Sequence, residues 1–279
     1  MGRIWFITGC SSGFGRLLSE RAFALGDSVV ATARSTQSLG NIGRGDESRI
    51  LRLPLDVQSQ SDIDTAVERA IEKFGRIDIL VNNAGYAYFG TQEEGSLEEV
   101  RAMFDTNIFG LIAMTQGVLP HMRSARTGTI INLSSIGGRI ATPRGGFYQA
   151  TKWGVEALSE SLFLEVSEFG LRVIVIEPGA YETDFGPRSS RIAPAESSAS
   201  SPYAAHRKRW KEVQEREVFP YSQNPAEVID GILDAVACDL PFVRLPIGRD
   251  AVDFIRRREK MGMTAFVEWL RKLYNGRRE

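Results

Sequence analysis

Apolar residues recur along this chain in two alternating patterns. Short runs, almost continuously apolar and β-branched, occupy Ile4–Thr8, Ser28–Ala33, Ile50–Leu53, Ile77–Val81, Thr129–Leu133, Val173–Ile176 and Phe242–Leu245. Strands covered by helices on both faces of a parallel sheet read this way. Between the runs, stretches near 15–25, 59–74, 97–122, 147–169 and 225–237 carry apolar positions at helical spacing, and Ser59-Gln-Ser-Asp62 forms a capping box at the head of the second. The alternation predicts an α/β fold, a doubly wound seven-stranded parallel sheet with right-handed crossovers. No linker divides it, so a single domain is expected over 1–279.

Two regions break the rhythm. From Gly186 to Ser201 the chain is rich in Ser, Ala and Pro and aperiodic, which predicts a mobile loop. A charged helical segment carrying Trp210 follows, and 181–221 together are expected to form a loop or lid over a substrate. The C-terminal stretch 249–279 holds nine Lys/Arg against five Asp/Glu. It is expected to be a helical extension, either an amphipathic helix packing Phe254, Phe266, Trp269 and Leu270 on the core or a helix docking on a membrane surface or partner.

Composition removes several functions. Thirty-four Lys/Arg against 35 Asp/Glu leave a formal charge of −1, without the concentrated positive field that nucleic acid binding needs. No apolar run approaches the roughly 18 residues of a membrane-spanning helix, so stable membrane insertion is not expected. Cys10 and Cys238 make no disulfide framework, which fits a reducing, cytoplasmic compartment. The two histidines, His121 and His206, lack ligand spacing, so no metal site is expected.

Thr8-Gly-Cys-Ser-Ser-Gly-Phe-Gly15 lies between the first strand and the first helix. Gly9 permits a tight turn, Gly13 a close approach of backbone to a pyrophosphate, and Gly15 the packing of helix on strand, as in a Rossmann nucleotide-binding unit. The helix's first N–H groups then face the anion. At the end of the second strand, where such folds present Asp or Glu to the ribose 2′-OH, this chain has Arg34. A guanidinium suits a 2′-phosphate, so NADP is favoured over NAD.

Tyr148 and Lys152 stand four apart on a predicted helix, which puts phenol and ammonium on one face. A cation about 4 Å from the phenol, at an effective dielectric of about 20, is worth about 4 kcal/mol. That lowers the phenol by about three pH units, to near neutrality, where it can serve as acid or base. Ser135, just past a strand end, reaches the same crevice and can hydrogen-bond a substrate oxygen, with Ser134 as its rival.

Thr8–Gly15, Asp56-Val57, Asn82-Asn-Ala-Gly85, Asn107, Ser135, Tyr148/Lys152 and Pro178-Gly179 stand in the order and spacing of the short-chain dehydrogenase/reductase family, which the chain resembles over residues 8 to 183. Thr-Gly-Cys-Ser-Ser-Gly and Arg-Leu-Pro-Ile-Gly-Arg-Asp250 make it look most like the 17β-hydroxysteroid-dehydrogenase-like branch. The resemblance implies that Tyr148 is the acid/base, that Lys152 lowers its pKa and holds the nicotinamide ribose, and that Ser135 orients the carbonyl. It implies that Asn107 holds a water linking Lys152 to solvent. It assigns Gly9, Ser11, Ser12, Gly13, Phe14, Gly15, Arg34, Asp56, Val57, Asn83, Ala84, Gly85, Pro178, Gly179 and Thr183 to the cofactor. Phe14 departs from the family, which usually has Ile or Leu there. The expected activity is interconversion of a small-molecule ketone or aldehyde with its alcohol by an NADP-dependent homodimer or homotetramer. Tyr181, Phe185, Tyr203, Trp210, Phe219 and Tyr221 either line a pocket for a bulky apolar substrate or form the lid's own core. The alternatives are a non-catalytic NADP-binding regulator or scaffold, and a redox-neutral isomerase or lyase on the same fold.

Overall fold

The computed structural model describes residues 2–181, 189–218 and 223–275. Seven parallel strands form one sheet: β1 (Ile4–Ile7), β2 (Ser28–Ala33), β3 (Ile50–Pro54), β4 (Ile79–Asn82), β6 (Gly128–Leu133), β7 (Leu171–Pro178) and β9 (Phe242–Ile247), in the order β3-β2-β1-β4-β6-β7-β9. Alternate strand residues face opposite layers. Trp5, Ile7, Val29, Val81 and Ile174 pack with Leu18 and Ala22 of α1 (Gly13–Ala24) and with Val228 and Ile232 of a late helix over Ala226–Ala237. Phe6, Val30, Leu80 and Ile130 pack on the other face with Ile63 and Val67 of α2 (Gln60–Phe74) and Met114 and Val118 of α4 (Leu111–Ala125). Both faces are covered, which is why each strand reads as a continuous apolar run.

The strand order reverses between β1 and β4, so the carboxyl ends of these two diverge and open a crevice. Buried amides hold the neighbouring strand ends in register. Asn82 Nδ2 donates to Asn132 Oδ1 (2.9 Å) and to Thr115 Oγ1 (3.1 Å), and Asn132 Nδ2 donates to Ser159 Oγ (2.8 Å). Unpaired, such groups would each cost on the order of 1–3 kcal/mol in this interior.

The structure corrects four expectations. The aperiodic segment is not wholly a loop: β8 (Ser190–Ile192) pairs in parallel with β5 (Ala87–Phe89) as a small second sheet beside the crevice. Three residues are too few for a periodicity to show. The stretch 97–122 is not one α-helix, because α3 (Leu97–Phe104) passes through a π turn (Asp105–Gly110) into α4. The capping box is half made: Ser59 Oγ accepts from Asp62 N (3.3 Å), whereas the Asp62 carboxylate turns to Asp56 N (3.0 Å). The C-terminal extension is two helices, α8 (Arg249–Met261) and α9 (Met263–Tyr274), broken at Gly262 with φ 76°. Phe254, Phe266 and Leu270 pack with Ile136, Ile140 and Val213, so this extension belongs to the core. Here α5 denotes Gly146–Val166, α6 Ala204–Val213 and α7 Ala226–Ala237. Among the described residues no helix is long and apolar enough to cross a membrane.

Candidate active site

A cavity of about 710 Å³ opens at the crevice, within the range of pockets that hold a dinucleotide or a drug-sized ligand. Its nucleotide half begins at the glycine loop. Gly9 (φ 72°) and Gly13 (φ 57°) adopt left-handed backbone. A Cβ on Gly9 would stand 2.9 Å from Ala84 Cα, so only glycine lets the loops after β1 and β4 touch. Gly15 does not line the cavity. A Cβ there would overlap the Asn83 amide and sit 2.5 Å from Gly9 O, so its place is the packing of α1 under the loop. Ser12 caps α1 by position without a side-chain hydrogen bond, and no acidic residue stands in the first turn. The N–H groups of that turn, with the positive end of the helix dipole, therefore face the cavity where Ser11, Ser12, Gly13 and Phe14 line it.

Thr8 and Asn83 brace this loop. Asn83 N and Ala84 N both donate to Thr8 Oγ1 (3.0 Å), and Asn83 Nδ2 donates to Thr8 O (2.7 Å) and Gly9 O (3.1 Å). The Asn83 side chain is thus committed to the loop, while Asn83, Ala84 and Gly85 line the wall. Arg34 is exposed at the rim, beside Asp56 and Val57. Asp56 Oδ1 accepts from Gln58 N (3.0 Å), which makes it a turn acid as well as a wall residue. Gly110 lets the π turn close on Val57, since a Cβ there would meet Val57 Cγ2 at 2.6 Å. These residues fit a dinucleotide: an uncapped helix terminus, glycines that admit backbone contact, and an exposed cation, Arg34, at the rim.

Ser135, Tyr148 and Lys152 converge on the other half. Ser135 Oγ accepts from Gly137 N (3.0 Å), which fixes its rotamer, and its hydroxyl hydrogen-bonds the Tyr148 phenol. Lys152 is buried and donates to Leu133 O (2.7 Å), with its ammonium 5.7 Å from the centre of the Tyr148 ring. The electrostatics differ from the sequence-based expectation. Burial pushes the phenol up to about 12, offset in part by the Ser135 bond, and burial brings the Lys152 ammonium down to about 8 against the pull of Glu156. The lysine points at a carbonyl and lies beside the ring, so desolvation outweighs attraction.

Asn107 is buried and does not line the cavity. Its Oδ1 accepts from Tyr86 N (3.0 Å), and its Nδ2 donates to Tyr86 O (2.8 Å) and Thr151 Oγ1 (3.1 Å). The amide therefore ties the π turn to the chain before β5 and to α5. Single π turns recur at functional sites because they re-aim one side chain.

Pro178, Gly179, Ala180 and Tyr181 close the far end of the cavity. Sequence reasoning gave no role to their anchors. Asp250, buried at the start of α8, accepts from Ala180 N (2.7 Å) and from Gln223 Nε2 (2.8 Å), and Gln223 Nε2 also donates to Ala180 O (2.8 Å). A Cβ on Gly179 would overlap the Asp250 carboxylate. The Tyr181 ring meets Phe14 edge-on at 5.9 Å, so the unusual Phe14 bridges the glycine loop to this segment. Only the quoted Arg-Leu-Pro-Ile-Gly-Arg-Asp250 motif marked Asp250. Thr183, Phe185, Phe219 and Tyr221 lie outside the described residues.

The fold and this constellation define a dinucleotide-dependent oxidoreductase of the short-chain type, and the comparisons agree. The short chain dehydrogenase family profile matches residues 3–191. Oxidoreductase BOA17 of Botryotinia fuckeliana is 34% identical over 270 residues, 96% of this chain and 97% of its own length. A 3-ketodihydrosphingosine reductase of Bacteroides thetaiotaomicron is 42% identical over 183 residues, 66% of this chain and 65% of its own. The crystal structure of a short-chain dehydrogenase from Streptomyces avermitilis superposes with a TM-score of 0.84 at 34% identity, covering 99% of this chain and 98% of that one. The chain belongs to the short-chain dehydrogenase/reductase family.

Proposed function

We propose that this protein is an NADP-dependent carbonyl reductase acting on bulky apolar ketones or aldehydes, with Tyr148 as the proton donor. The observation that carries the reading is the Ser135–Tyr148–Lys152 cluster standing in one cavity with an uncapped helix terminus and Arg34. NADPH bound along the glycine loop supplies hydride to the substrate carbon. Ser135 and Tyr148 present two hydroxyls to one substrate oxygen and oppose the charge that develops there. A phenol held near 12 is fully protonated at neutral pH, so the resting site is an acid ready to give its proton to an alkoxide. The reverse reaction needs the phenolate, and alcohol oxidation accordingly rises with pH. Arg34 supports NADP over NAD because a guanidinium pairs with a 2′-phosphate in a charge-assisted bond.

Tyr86, Phe89, Ile136, Ile140 and Tyr181 line the cavity and favour an apolar substrate. A relative at 42% identity is, by its name, a ketone reductase. Leu97, Phe109, Trp153 and Leu164 are exposed along the face of α3 to α5. They support assembly of the enzyme through that face, in a dimer or a tetramer. The test of function is a panel of carbonyl compounds followed by NADPH absorbance, repeated with Tyr148→Phe. The variant is expected to lose roughly 10²–10⁴-fold in rate while still binding NADPH. Turnover above about a tenth of wild type would remove Tyr148 from the role.

A further inference from the structure

The cavity wall at 178–181 is held from behind by groups that stand far away in the sequence. Ala180 N donates to Asp250 Oδ2 (2.7 Å), and Ala180 O accepts from Gln223 Nε2 (2.8 Å). Gly179 N donates to Ile247 O at the end of β9 (2.8 Å). Each of the successive peptide planes 178–179, 179–180 and 180–181 is therefore pinned by a hydrogen bond of its own. In a trans peptide the C=O and N–H point opposite ways. Spending the Ala180 N–H on Asp250 turns the Gly179 carbonyl away from α8, and spending the Ala180 carbonyl on Gln223 turns the Tyr181 N–H away from Gln223.

The two anchoring side chains are matched donor for acceptor. Asp250 Oδ1 accepts from Gln223 Nε2 (2.8 Å) while its Oδ2 serves Ala180. Gln223 Nε2 gives one hydrogen to Asp250 and the other to Ala180 O, and Gln223 Oε1 accepts from Arg249 N (2.7 Å). Both residues are buried, so solvent does not compete for these bonds. The packing around them is closed as well. A Cβ on Gly179 would overlap the Asp250 carboxylate, and one on Gly248 would stand 2.8 Å from Gln223 Oε1 and 2.9 Å from both Asp250 Oδ1 and Tyr181 Oη. Any other arrangement leaves a buried polar group unpaired, at about 1–3 kcal/mol each, so the pair holds one geometry.

The helix that carries Asp250 also reaches the other half of the site. Ala251 and Phe254 of α8 pack in one cluster with Ile136 and Ile140, which follow Ser135 and line the cavity. One helix thereby fixes the wall at 178–181 relative to the turn that begins at Ser135. Such spacing matters to a reaction between two bound groups, because a misplacement of about 1 Å costs up to about 10²-fold in rate.

We propose that Asp250 and Gln223 are positioning residues for hydride transfer, which set the tilt of the nicotinamide ring through the backbone of 179–181. The inference rests on the dinucleotide-dependent reductase reading above. Neither side chain lines the cavity, so both act from behind the wall and touch neither substrate nor cofactor. The Gly179 carbonyl and the Tyr181 N–H, turned away from these anchors, are one acceptor and one donor, the complement of a carboxamide. Loosening the anchors frees those groups to swing and leaves the glycine loop and Arg34, at the other end of the cavity, as they are. A pair that only stabilised the fold would weaken every part of the cofactor site alike. A positioning pair weakens the nicotinamide end alone.

The experiment measures by calorimetry the affinity of wild type, Asp250→Asn and Gln223→Leu for two ligands, NADPH and 2′-phospho-ADP-ribose, which is the same molecule without its nicotinamide. Asp250→Asn keeps the shape but sets an amide N–H against Gln223 Nε2 or Ala180 N, and Gln223→Leu removes the bond to Ala180 O. Both variants are expected to bind NADPH about tenfold more weakly and the fragment within about twofold of wild type. With a carbonyl substrate, kcat is expected to fall by about 10–10²-fold while KM for that substrate stays within about twofold. The isotope effect from NADPH deuterated at C4 of the nicotinamide rises, because hydride transfer becomes the slow step. If Asp250→Asn binds neither ligand, Gln223→Leu decides alone. Equal weakening of both ligands in Gln223→Leu, or of neither, overturns the positioning role and leaves the reductase intact. A wild type that binds NADPH and turns over no carbonyl compound overturns the reductase reading, and the binding comparison still judges the pair.

Discussion

Lys152→Met should make the cofactor-free protein more stable at neutral pH while abolishing its activity. Burial brings the lysine from an ordinary 10.5 down to about 8. At ~1.36 kcal/mol per pH unit, holding the ammonium in the fold at pH 7 costs ~3 kcal/mol relative to the unfolded chain. Methionine fills a similar volume without charge. It forfeits a charge-assisted bond to Leu133 O, worth about 2 kcal/mol, and a weaker ring contact at 5.7 Å. The variant therefore gains about 1 kcal/mol at pH 7, measurable against the ~5–15 kcal/mol of a typical domain. The sign follows from proton binding. Between about pH 8 and pH 10.5 the unfolded lysine keeps its proton while the folded one releases it, so wild-type stability rises with pH through that window. Above the window the lysine is neutral in both states and the variant's advantage disappears. The assay is urea unfolding of both proteins at several pH values, with the difference between them isolating Lys152 from every other titrating group. A variant less stable than wild type at pH 7, or a difference that does not shrink as pH rises, would refute the assignment of desolvation as the dominant force on this lysine. Such an exchange of stability for chemistry is common where a site holds a strained or charged group.

Arg34→Ala is expected to raise the KM for NADPH more than about tenfold and to leave that for NADH similar, because a charge-assisted phosphate contact is worth about 1.5–3 kcal/mol. Unchanged NADPH affinity would show that the 2′-phosphate lies elsewhere. Light scattering at micromolar concentration should give a mass at least twice the 30.9 kDa of one chain, since Phe109 and Leu164 are 60% and 74% exposed on the α3–α5 face. A stable monomer would mean that this face has no second copy of the chain on it.

The strands were legible because helices cover both faces of the sheet, so the apolar run and the strand overlap at every strand, closely at β2 and β3. Ile50–Leu53 lengthened only to Pro54, and Ser28–Ala33 kept both ends. The site was legible for a different reason. Glycines at positions 9, 13 and 15 and the Tyr148/Lys152 pair have local geometric requirements that spacing along the chain can express. What sequence could not express is where a side chain's hydrogen bonds go. Asn107 and Asn83 spend their side-chain amides on backbone groups of another segment, and Asp56 spends its carboxylate on its own turn. The Tyr148 phenol was expected to fall toward neutrality, on the assumption that the i,i+4 lysine points at it. The Leu133 carbonyl is a better partner for that ammonium, and burial then drives the phenol the other way. Asp250 and Gln223 illustrate the same limit at long range, because they hold the segment after β7 from positions 70 and 43 residues beyond it. Chemistry was readable where it depends on residue type and spacing. It was hidden where it depends on which of two partners a buried group chooses.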